Sequence, residues 1–332
     1  LSDRKDLPPV NFAKEFCQFH NETNFDKVEG LGFLPVPGTK PILPLIPAAC
    51  GAKVNQENKV SVATMTNPGY PVPKTWANYI DYDVTELRLS PKNNFQFTLA
   101  DLNPKMDLLM LNYPHNPSGQ TVTIEWWRMI CDYCEMHNIR IFNDAAYAKL
   151  AFGYHDTLAD IATEFPNLSW AESYSSSKLG CNFTGWRVGA IVGSEDFIND
   201  IATIKGNIDS GLFAPAAVGV LAAIRYEKEA IKQYCLTFQD RQAWLSEALL
   251  KRGMKLAINP QATFFNIWKL PRVAFGQTII SAEHFNLLMI QKGGLVGVHF
   301  DPYIRYAVVA DILQADFQSA VETAFDEAKV AY

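Results

Sequence analysis

Long apolar runs are absent from this sequence of 332 residues, and so is a basic segment followed by an apolar one at its start. The first absence excludes a membrane-spanning helix, because such a helix needs about 20 apolar residues. The second gives no indication of a secretory signal peptide. Since the chain begins at Leu1 rather than at methionine, we expect a further segment before it.

Cysteine is scarce: six residues are scattered along the chain, which is not the pattern of a disulfide framework. Cys131 and Cys134 form a C-x-x-C pair, but no second pair or histidine lies at the spacing of a zinc site. Their surroundings are typical of a helix, on which they would share one face. We therefore expect buried structural thiols, no metal site, and a reducing, cytoplasmic compartment.

An excess of basic charge is also absent, since 29 lysine and arginine residues oppose 35 acidic residues and the formal net charge is −6. This balance excludes a general electrostatic attraction to nucleic acid. The content of 48% hydrophobic and 19% charged residues excludes a disordered chain. The length predicts two domains, or one large α/β domain with an appendage.

What the sequence does contain is an alternation of strand and helix patterns. The run 107–112 is almost wholly apolar, as in a strand buried on both faces of a parallel sheet. A predicted helix over 124–137 leads into a strand that ends at Asp144, and a further strand over 168–173 leads to Lys178. This order predicts an open α/β sheet that binds its ligand at the carboxyl ends of the strands.

The second half of the chain has a different pattern. A long helix is predicted over Phe213–Leu236, and another strand-and-helix unit follows residue 259. We predict an N-terminal segment over 1–29 that packs with the small domain, a large domain over 30–252 and a smaller C-terminal α/β domain over 253–332.

One lysine lies among small hydroxyl residues in the stretch 173–189, and Arg187 follows it nine positions later. A lysine that reacts needs a confined site with groups that manage its charge. Lys178 could therefore form a Schiff base with an aldehyde cofactor. The alternative is a polar loop with a solvated lysine, and this stretch alone does not decide between the two.

Further motifs occur in a fixed order around this stretch. They are Gly38-Thr39-Lys40, Pro68-Gly69-Tyr70-Pro71, Asn116-Pro117-Ser118-Gly119, Asp144-Ala145-Ala146-Tyr147, Ser175-Ser176-Ser177-Lys178, Thr184-Gly185-Trp186-Arg187 and Tyr303-Ile304-Arg305. From Gly30 to the C-terminus the chain resembles the class I/II aminotransferase family of fold-type I pyridoxal-phosphate enzymes. The resemblance implies a large domain with a mostly parallel central sheet flanked by helices, and a smaller C-terminal α/β domain.

The resemblance also implies a role for each residue around the cofactor ring. Lys178 would bind the aldehyde of pyridoxal 5′-phosphate and then shuttle a proton. Asp144 would keep the ring nitrogen protonated. Asn116 and Tyr147 would donate to the phenolate oxygen, and Tyr70 would stack on the ring.

Other residues match the family's anion-binding positions. The implied phosphate ligands are Gly38, Thr39, Ser175, Ser177 and Arg187. Arg305, with Asn116, would bind the substrate α-carboxylate. Lys40 is expected to face solvent. The segment from Lys178 to Arg187 is one residue longer than the commonest family spacing, and the loop 298–302 before Arg305 is short.

The expected function is transfer of an amino group between an amino acid and a 2-oxo acid by a ping-pong mechanism, in a homodimer with its active sites at the interface. The turn Leu34–Lys40 is similar to that of succinyldiaminopimelate aminotransferases, which serve lysine biosynthesis. Aspartate, alanine and aromatic aminotransferases stay open as alternatives. So do a carbon–sulfur β-lyase with the same cofactor and a non-catalytic regulatory protein that retains the fold.

Overall fold

The computed structural model describes residues 8–51, 59–180, 183–209 and 211–332. Its helices are α1 Pro8–His20, α2 Leu45–Gly51, α3 Val72–Tyr79, α4 Ile124–Met136, α5 Leu158–Ala162, α6 Glu195–Lys205, α7 Ala214–Tyr226, α8 Lys228–Lys251, α9 Ala282–Gly293 and α10 Ala315–Ala328. Its strands are β1 Leu31–Val36, β2 Ser61–Asn67, β3 Asp83–Arg88, β4 Leu108–Leu111, β5 Arg140–Asp144, β6 Trp170–Ser175, β7 Gly189–Ser194, β8 Phe265–Lys269, β9 Val273–Ala274, β10 Gln277–Thr278, β11 Val298–Phe300 and β12 Tyr303–Ala307.

A seven-stranded sheet in the order β1-β7-β6-β5-β4-β2-β3 forms the centre of the large domain. The five strands from β6 to β3 run parallel, and β7 pairs antiparallel with both β6 and β1 at one edge. Strands β4, β5 and β6 are buried along their whole length. Because β4, β5 and β6 are parallel, their carboxyl ends meet at one edge of the sheet, which confirms the predicted α/β architecture.

Helices cover this sheet on both faces. One apolar cluster includes Phe16 of α1, Trp127 of α4 and Val220 of α7. A second cluster, with Ile46 of α2 and Phe197 of α6, packs on the opposite face. Burial on both faces explains why β4 is wholly apolar.

Helix α4 shows how the local sequence determines an element. The Thr123 hydroxyl caps its start by accepting from the Trp126 N–H, and Trp127, Ile130 and Cys134 form its buried stripe. Cys131 is buried on the same side. The expectation of buried structural thiols is confirmed for five free cysteines, while Cys181 lies outside the described residues.

The N-terminal helix corrects one prediction. Helix α1 packs on β1, β7 and α7, and its Phe12 and Phe16 belong to the core of the large domain. The prediction that the N-terminal segment packs with the small domain is wrong for α1. The physical reason is that its apolar stripe covers the antiparallel edge of the large sheet.

The smaller unit consists of the antiparallel sheet β11-β12-β8 with α9 and α10, which enclose Trp268, Phe285 and Phe325. The helix predicted over Phe213–Leu236 is two helices, because Glu227 leaves the helical conformation between α7 and α8. Phe238 and Leu249 of α8 belong to the core of the smaller unit. We therefore propose a domain boundary within α8, earlier than the one predicted at 252/253. Among the described residues, the helices are too short or too polar to cross a bilayer.

Candidate active site

A cavity of about 510 Å³ lies at the carboxyl ends of β4, β5 and β6, against the smaller sheet. All the predicted site residues except Gly38 line it, namely Thr39, Tyr70, Asn116, Asp144, Tyr147, Ser175, Ser177, Lys178, Arg187 and Arg305. Gly38 adjoins it, because a Cβ there would lie 2.6 Å from Nη2 of Arg187. The fold thus brings together residues that are up to 267 positions apart in sequence, counting from 38 to 305.

Lys178 stands on a single 3₁₀ turn, Ser176–Lys178, that directly follows β6. Its Nζ lies 5.7 Å from the ring centre of Tyr147 and 5.1 Å from that of Phe264. Burial lowers the pKa of Lys178; Asp144 opposes this shift, and the cations of Arg305 and Arg187 add to it. A larger fraction of this amine is therefore neutral than in an exposed lysine, as a nucleophile requires.

Asp144 is the last residue of β5 and is buried. Burial raises the pKa of its carboxyl to about 6, against the opposing effects of the nearby Thr39 hydroxyl and the Lys178 cation. None of the described residues donates a hydrogen bond to its Oδ1. A buried carboxylate oxygen without a donor is costly, so this position suits a cationic N–H from a bound group.

Gly38 and Arg187 form the end of the cavity next to β1. Gly38 has φ +81°, and a Cβ there would displace the guanidinium of Arg187, so glycine is favoured at this position. Arg187 donates from Nη2 to the Pro37 carbonyl at 2.7 Å. The φ of Arg187 itself is +57°, in the left-handed region. This turn ends the segment 178–187, which is one residue longer than the commonest family spacing. Cys181 and Asn182 of that segment lie outside the described residues.

Two serines add hydroxyl groups to the same end. Ser175 Oγ accepts from the Ser177 N–H at 3.3 Å. Ser177 Oγ is buried and has no hydrogen-bond partner among the described residues. Together with Thr39 and Arg187, these groups form a candidate anion site at this end of the cavity.

Arg305 reaches the cavity from β12 of the smaller unit. Its Nη1 donates to Asn116 Oδ1 at 2.6 Å. The guanidinium lies 4.5 Å from the ring centre of Phe265 and 5.3 Å from that of Phe300. Two aromatic rings and one amide thus fix its plane, which suits bidentate binding of a carboxylate.

Asn112 was not among the predicted site residues, yet it organises the loop after β4. Its Nδ2 donates to the Asp144 carbonyl at 2.7 Å, and its Oδ1 accepts from the Asn116 N–H at 2.9 Å. Lys40 also lines the cavity, although its side chain is exposed as expected. A polar residue at the end of a buried apolar strand was the available sequence signal for Asn112.

Comparison with known proteins identifies the family. Residues 8–323 match the sequence profile of aminotransferase class I and II. The chain belongs to this family. An LL-diaminopimelate aminotransferase from Dehalococcoides mccartyi strain BAV1 is 32% identical over 261 residues, which cover 74% of this chain and 64% of that relative. The match therefore spans slightly less than two thirds of the relative's length.

Solved structures of aminotransferases share the fold. Substrate-bound BacF from Bacillus subtilis has a TM-score of 0.81 at 20% identity and covers 96% of this chain and 79% of its own. A probable N-succinyldiaminopimelate aminotransferase from Thermus thermophilus has a TM-score of 0.79 at 18% identity. This match covers 97% of the chain described here and 84% of the Thermus chain. These comparisons confirm the predicted fold-type I architecture and family.

The aminotransferase family uses pyridoxal phosphate, and the residues of this cavity fit that group. The partly neutral amine of Lys178 suits its aldehyde, and the undonated Oδ1 of Asp144 suits a protonated ring nitrogen. The anion site beside Arg187 suits its phosphate. Two of these groups, Asp144 Oδ1 and Ser177 Oγ, are buried without a hydrogen-bond partner among the described residues, and a bound cofactor would satisfy them.

Proposed function

We propose that the protein is a pyridoxal-phosphate-dependent aminotransferase that moves an amino group between an amino acid and a 2-oxo acid. The observation that carries this proposal is the placement of Lys178, Asp144 and Arg305 on the walls of one cavity. The reaction needs an amine, a buried carboxylate and a carboxylate-binding fork together. The matching relatives are also named aminotransferases.

The bound cofactor would supply an electron sink for the carbanion that forms at the substrate carbon. Lys178 would hold the aldehyde carbon and, once released, carry a proton with Nζ. Asp144 would keep the ring nitrogen cationic, because a buried carboxylate favours a proton on its neighbour. Tyr70 would cover the open face of the ring.

Asn116 and Tyr147 would donate to the phenolate oxygen of the cofactor. Burial raises the pKa of Tyr147, so its hydroxyl stays protonated at neutral pH and acts as a donor. Asn116 already accepts from Arg305, which leaves its NH₂ group available. Gly38, Thr39, Ser175, Ser177 and Arg187 are the proposed phosphate ligands.

The substrate class can be narrowed by the names of the relatives. Several LL-diaminopimelate aminotransferases match, including one from Methanocaldococcus jannaschii at 30% identity. We propose diaminopimelate or one of its biosynthetic relatives as the amino-acid substrate, and a step towards lysine as the setting. A cytoplasmic location is proposed with it, in agreement with the free thiols.

A homodimer is part of the proposal. Four large apolar side chains are exposed on α7, before it in the chain, or in contact with it: Val218 at 64%, Ile208 at 64%, Phe213 at 69%, and Trp186 at 42%, which lies against Gly219 of α7. A surface on which such side chains group together is typical of a partner interface. We expect sedimentation equilibrium to give twice the chain mass, whereas a monomeric mass at working concentration would contradict this part.

The function is tested by following the cofactor through two separate half-reactions. Purified protein loaded with pyridoxal phosphate should lose its aldehyde absorbance on addition of LL-diaminopimelate or another amino donor, and regain it on addition of 2-oxoglutarate or pyruvate. With cystathionine as substrate, release of pyruvate, ammonia and homocysteine without any need for a 2-oxo acid would instead show a carbon–sulfur β-lyase. Absence of any lysine-bound cofactor would contradict both enzymes and leave the regulatory alternative.

Arg305→Lys provides a test of the substrate site. Lysine keeps the positive charge but loses the planar fork that Asn116, Phe265 and Phe300 orient. We expect the KM for amino acid and 2-oxo acid to rise about tenfold or more, with little change in the affinity for the cofactor. Arg241→Lys is the matched control, because Arg241 pairs with Asp311 outside the cavity. Equal KM values for the Arg305 variant and the wild type would remove Arg305 from the substrate site.

A further inference from the structure

A fully buried carboxylate lies close to the cavity without forming part of its wall. Glu172 of β6 is 0% exposed. Its Oε1 accepts from Asn143 Nδ2 at 2.6 Å and from the Leu158 N–H at 3.3 Å, and its Oε2 accepts from the Ala159 N–H and the Tyr174 hydroxyl, both at 2.7 Å. A buried charge is costly unless donors surround it, and here four donors do so. The cofactor chemistry proposed above does not use this group.

Asn143 connects Glu172 to the loop after β4. Its Nδ2 donates to the Tyr113 carbonyl at 3.0 Å as well as to Glu172, and its Oδ1 accepts from the Tyr113 N–H at 2.8 Å. An amide group can occupy its site in either of two orientations. Burial raises the pKa of Glu172 to about 7, so the carboxyl is mostly ionised only above neutral pH. The ionised form only accepts, and it therefore stabilises the orientation that the Tyr113 peptide also favours, with NH₂ towards Glu172 and Oδ1 towards the Tyr113 N–H.

This orientation matters for the site because Asn143 precedes Asp144 and Tyr113 opens the loop that carries Asn116. Asn112 makes a second link between the same two strand ends, from the Asp144 carbonyl to the Asn116 N–H. The relative position of Asp144 and Asn116 thus depends on two amide side chains, and Glu172 orients one of them.

We propose that Glu172 is a positioning residue, which fixes the Asn143 amide, through it the Tyr113 peptide, and so the place of Asn116 relative to Asp144. The kinetic part of this inference rests on the proposed function, whereas its structural part can be measured in the chain alone. A buried acid that only supports folding would change stability without loosening this loop.

Hydrogen exchange in the cofactor-free protein tests the structural part. The Ala159 N–H, 2.7 Å from Oε2, keeps the amide oxygen of the variant side chain at that position, so Glu172→Gln places an NH₂ group against that of Asn143. The Asn143 amide then either loses its acceptor at residue 172 or turns and gives up both of its bonds to Tyr113. We expect exchange in peptides that contain Tyr113 to rise about tenfold. Tyr174→Phe is the matched control, because it removes a donor to the same carboxylate on the side away from Asn143, and it should leave that exchange unchanged. Unchanged exchange in Glu172→Gln overturns the proposal.

A double-mutant cycle tests the kinetic part. Glu172→Gln should lower kcat/KM about tenfold in the wild-type background and have no further effect in an Asn143→Ala background, since both changes break one link. Effects that multiply would contradict the proposal.

If the wild type shows no amino transfer, the proposed function fails while the exchange result still decides the structural part. Should Glu172→Gln not fold, Glu172→Asp withdraws the carboxylate from Asn143 by one methylene, and unchanged exchange at Tyr113 there overturns the proposal as well.

Discussion

Lys178→Ala is expected to remove the absorbance of lysine-bound pyridoxal phosphate and to lower amino transfer by about 10³-fold or more, because one residue serves as both cofactor anchor and proton carrier. The expectation rests on its position within 5.7 Å of the Tyr147 ring centre and on the burial that lowers the pKa of its amine. Absorbance spectra after dialysis against the cofactor, together with initial rates, would measure both losses.

Lys149→Ala is a suitable control for this experiment. Burial lowers the pKa of Lys149 too, and its Nζ lies over the ring of Phe19 at 5.0 Å, outside the cavity. A lysine that is merely partly neutral should therefore leave the absorbance unchanged when removed. If the Lys178 variant retained the wild-type absorbance and turnover, the amine would have to come from elsewhere, and the catalytic interpretation would fail.

The parts of the site that sequence reasoning could predict share a property. Asn116 and Lys178 follow strands that are buried along their whole length, and Asp144 ends a third, so the alternation of strand and helix patterns places all three at one edge of a parallel sheet. The Gly38 turn is also a local feature, because its φ of +81° is a conformation that glycine adopts readily. These are local requirements, and local sequence records them.

What could not be predicted depends on contacts between distant segments. Asn112 and Glu172 matter because of hydrogen bonds to Asp144, Asn116 and Asn143, and these bonds exist only once the strands are paired. The packing of α1 on the large sheet is another such case, since an apolar stripe shows that a helix packs but not against which surface. Contacts that form only in the folded chain, rather than the type of residue, determine the roles of Asn112 and Glu172 and the packing of α1.

Asp144→Asn is expected to separate catalysis from stability. An amide of the same shape cannot hold a cationic ring nitrogen, so we expect kcat to fall by about 10²- to 10³-fold, the range for loss of one preorganised electrostatic group. The free energy of unfolding of the cofactor-free variant should instead equal or exceed that of the wild type. The pKa of Asp144 is raised to about 6 on folding, so the folded chain binds the proton more tightly than the unfolded chain.

The sign of the pH effect follows from this shift. Between about pH 4 and pH 6 the folded protein holds a proton that the unfolded protein has lost, so stability falls as the pH rises through this window. Above it the ionised carboxylate costs the fold about 2 to 3 kcal/mol, a cost that the neutral amide avoids. We therefore expect the cofactor-free variant to melt at or above the wild-type temperature at pH 8.

The wild type should regain the difference on binding pyridoxal phosphate, since the cationic ring nitrogen then pairs with the carboxylate. Melting curves of both proteins with and without cofactor measure how far the cofactor raises each melting temperature. An equal rise in both proteins, with kcat unchanged, would show that Asp144 does not face the cofactor ring.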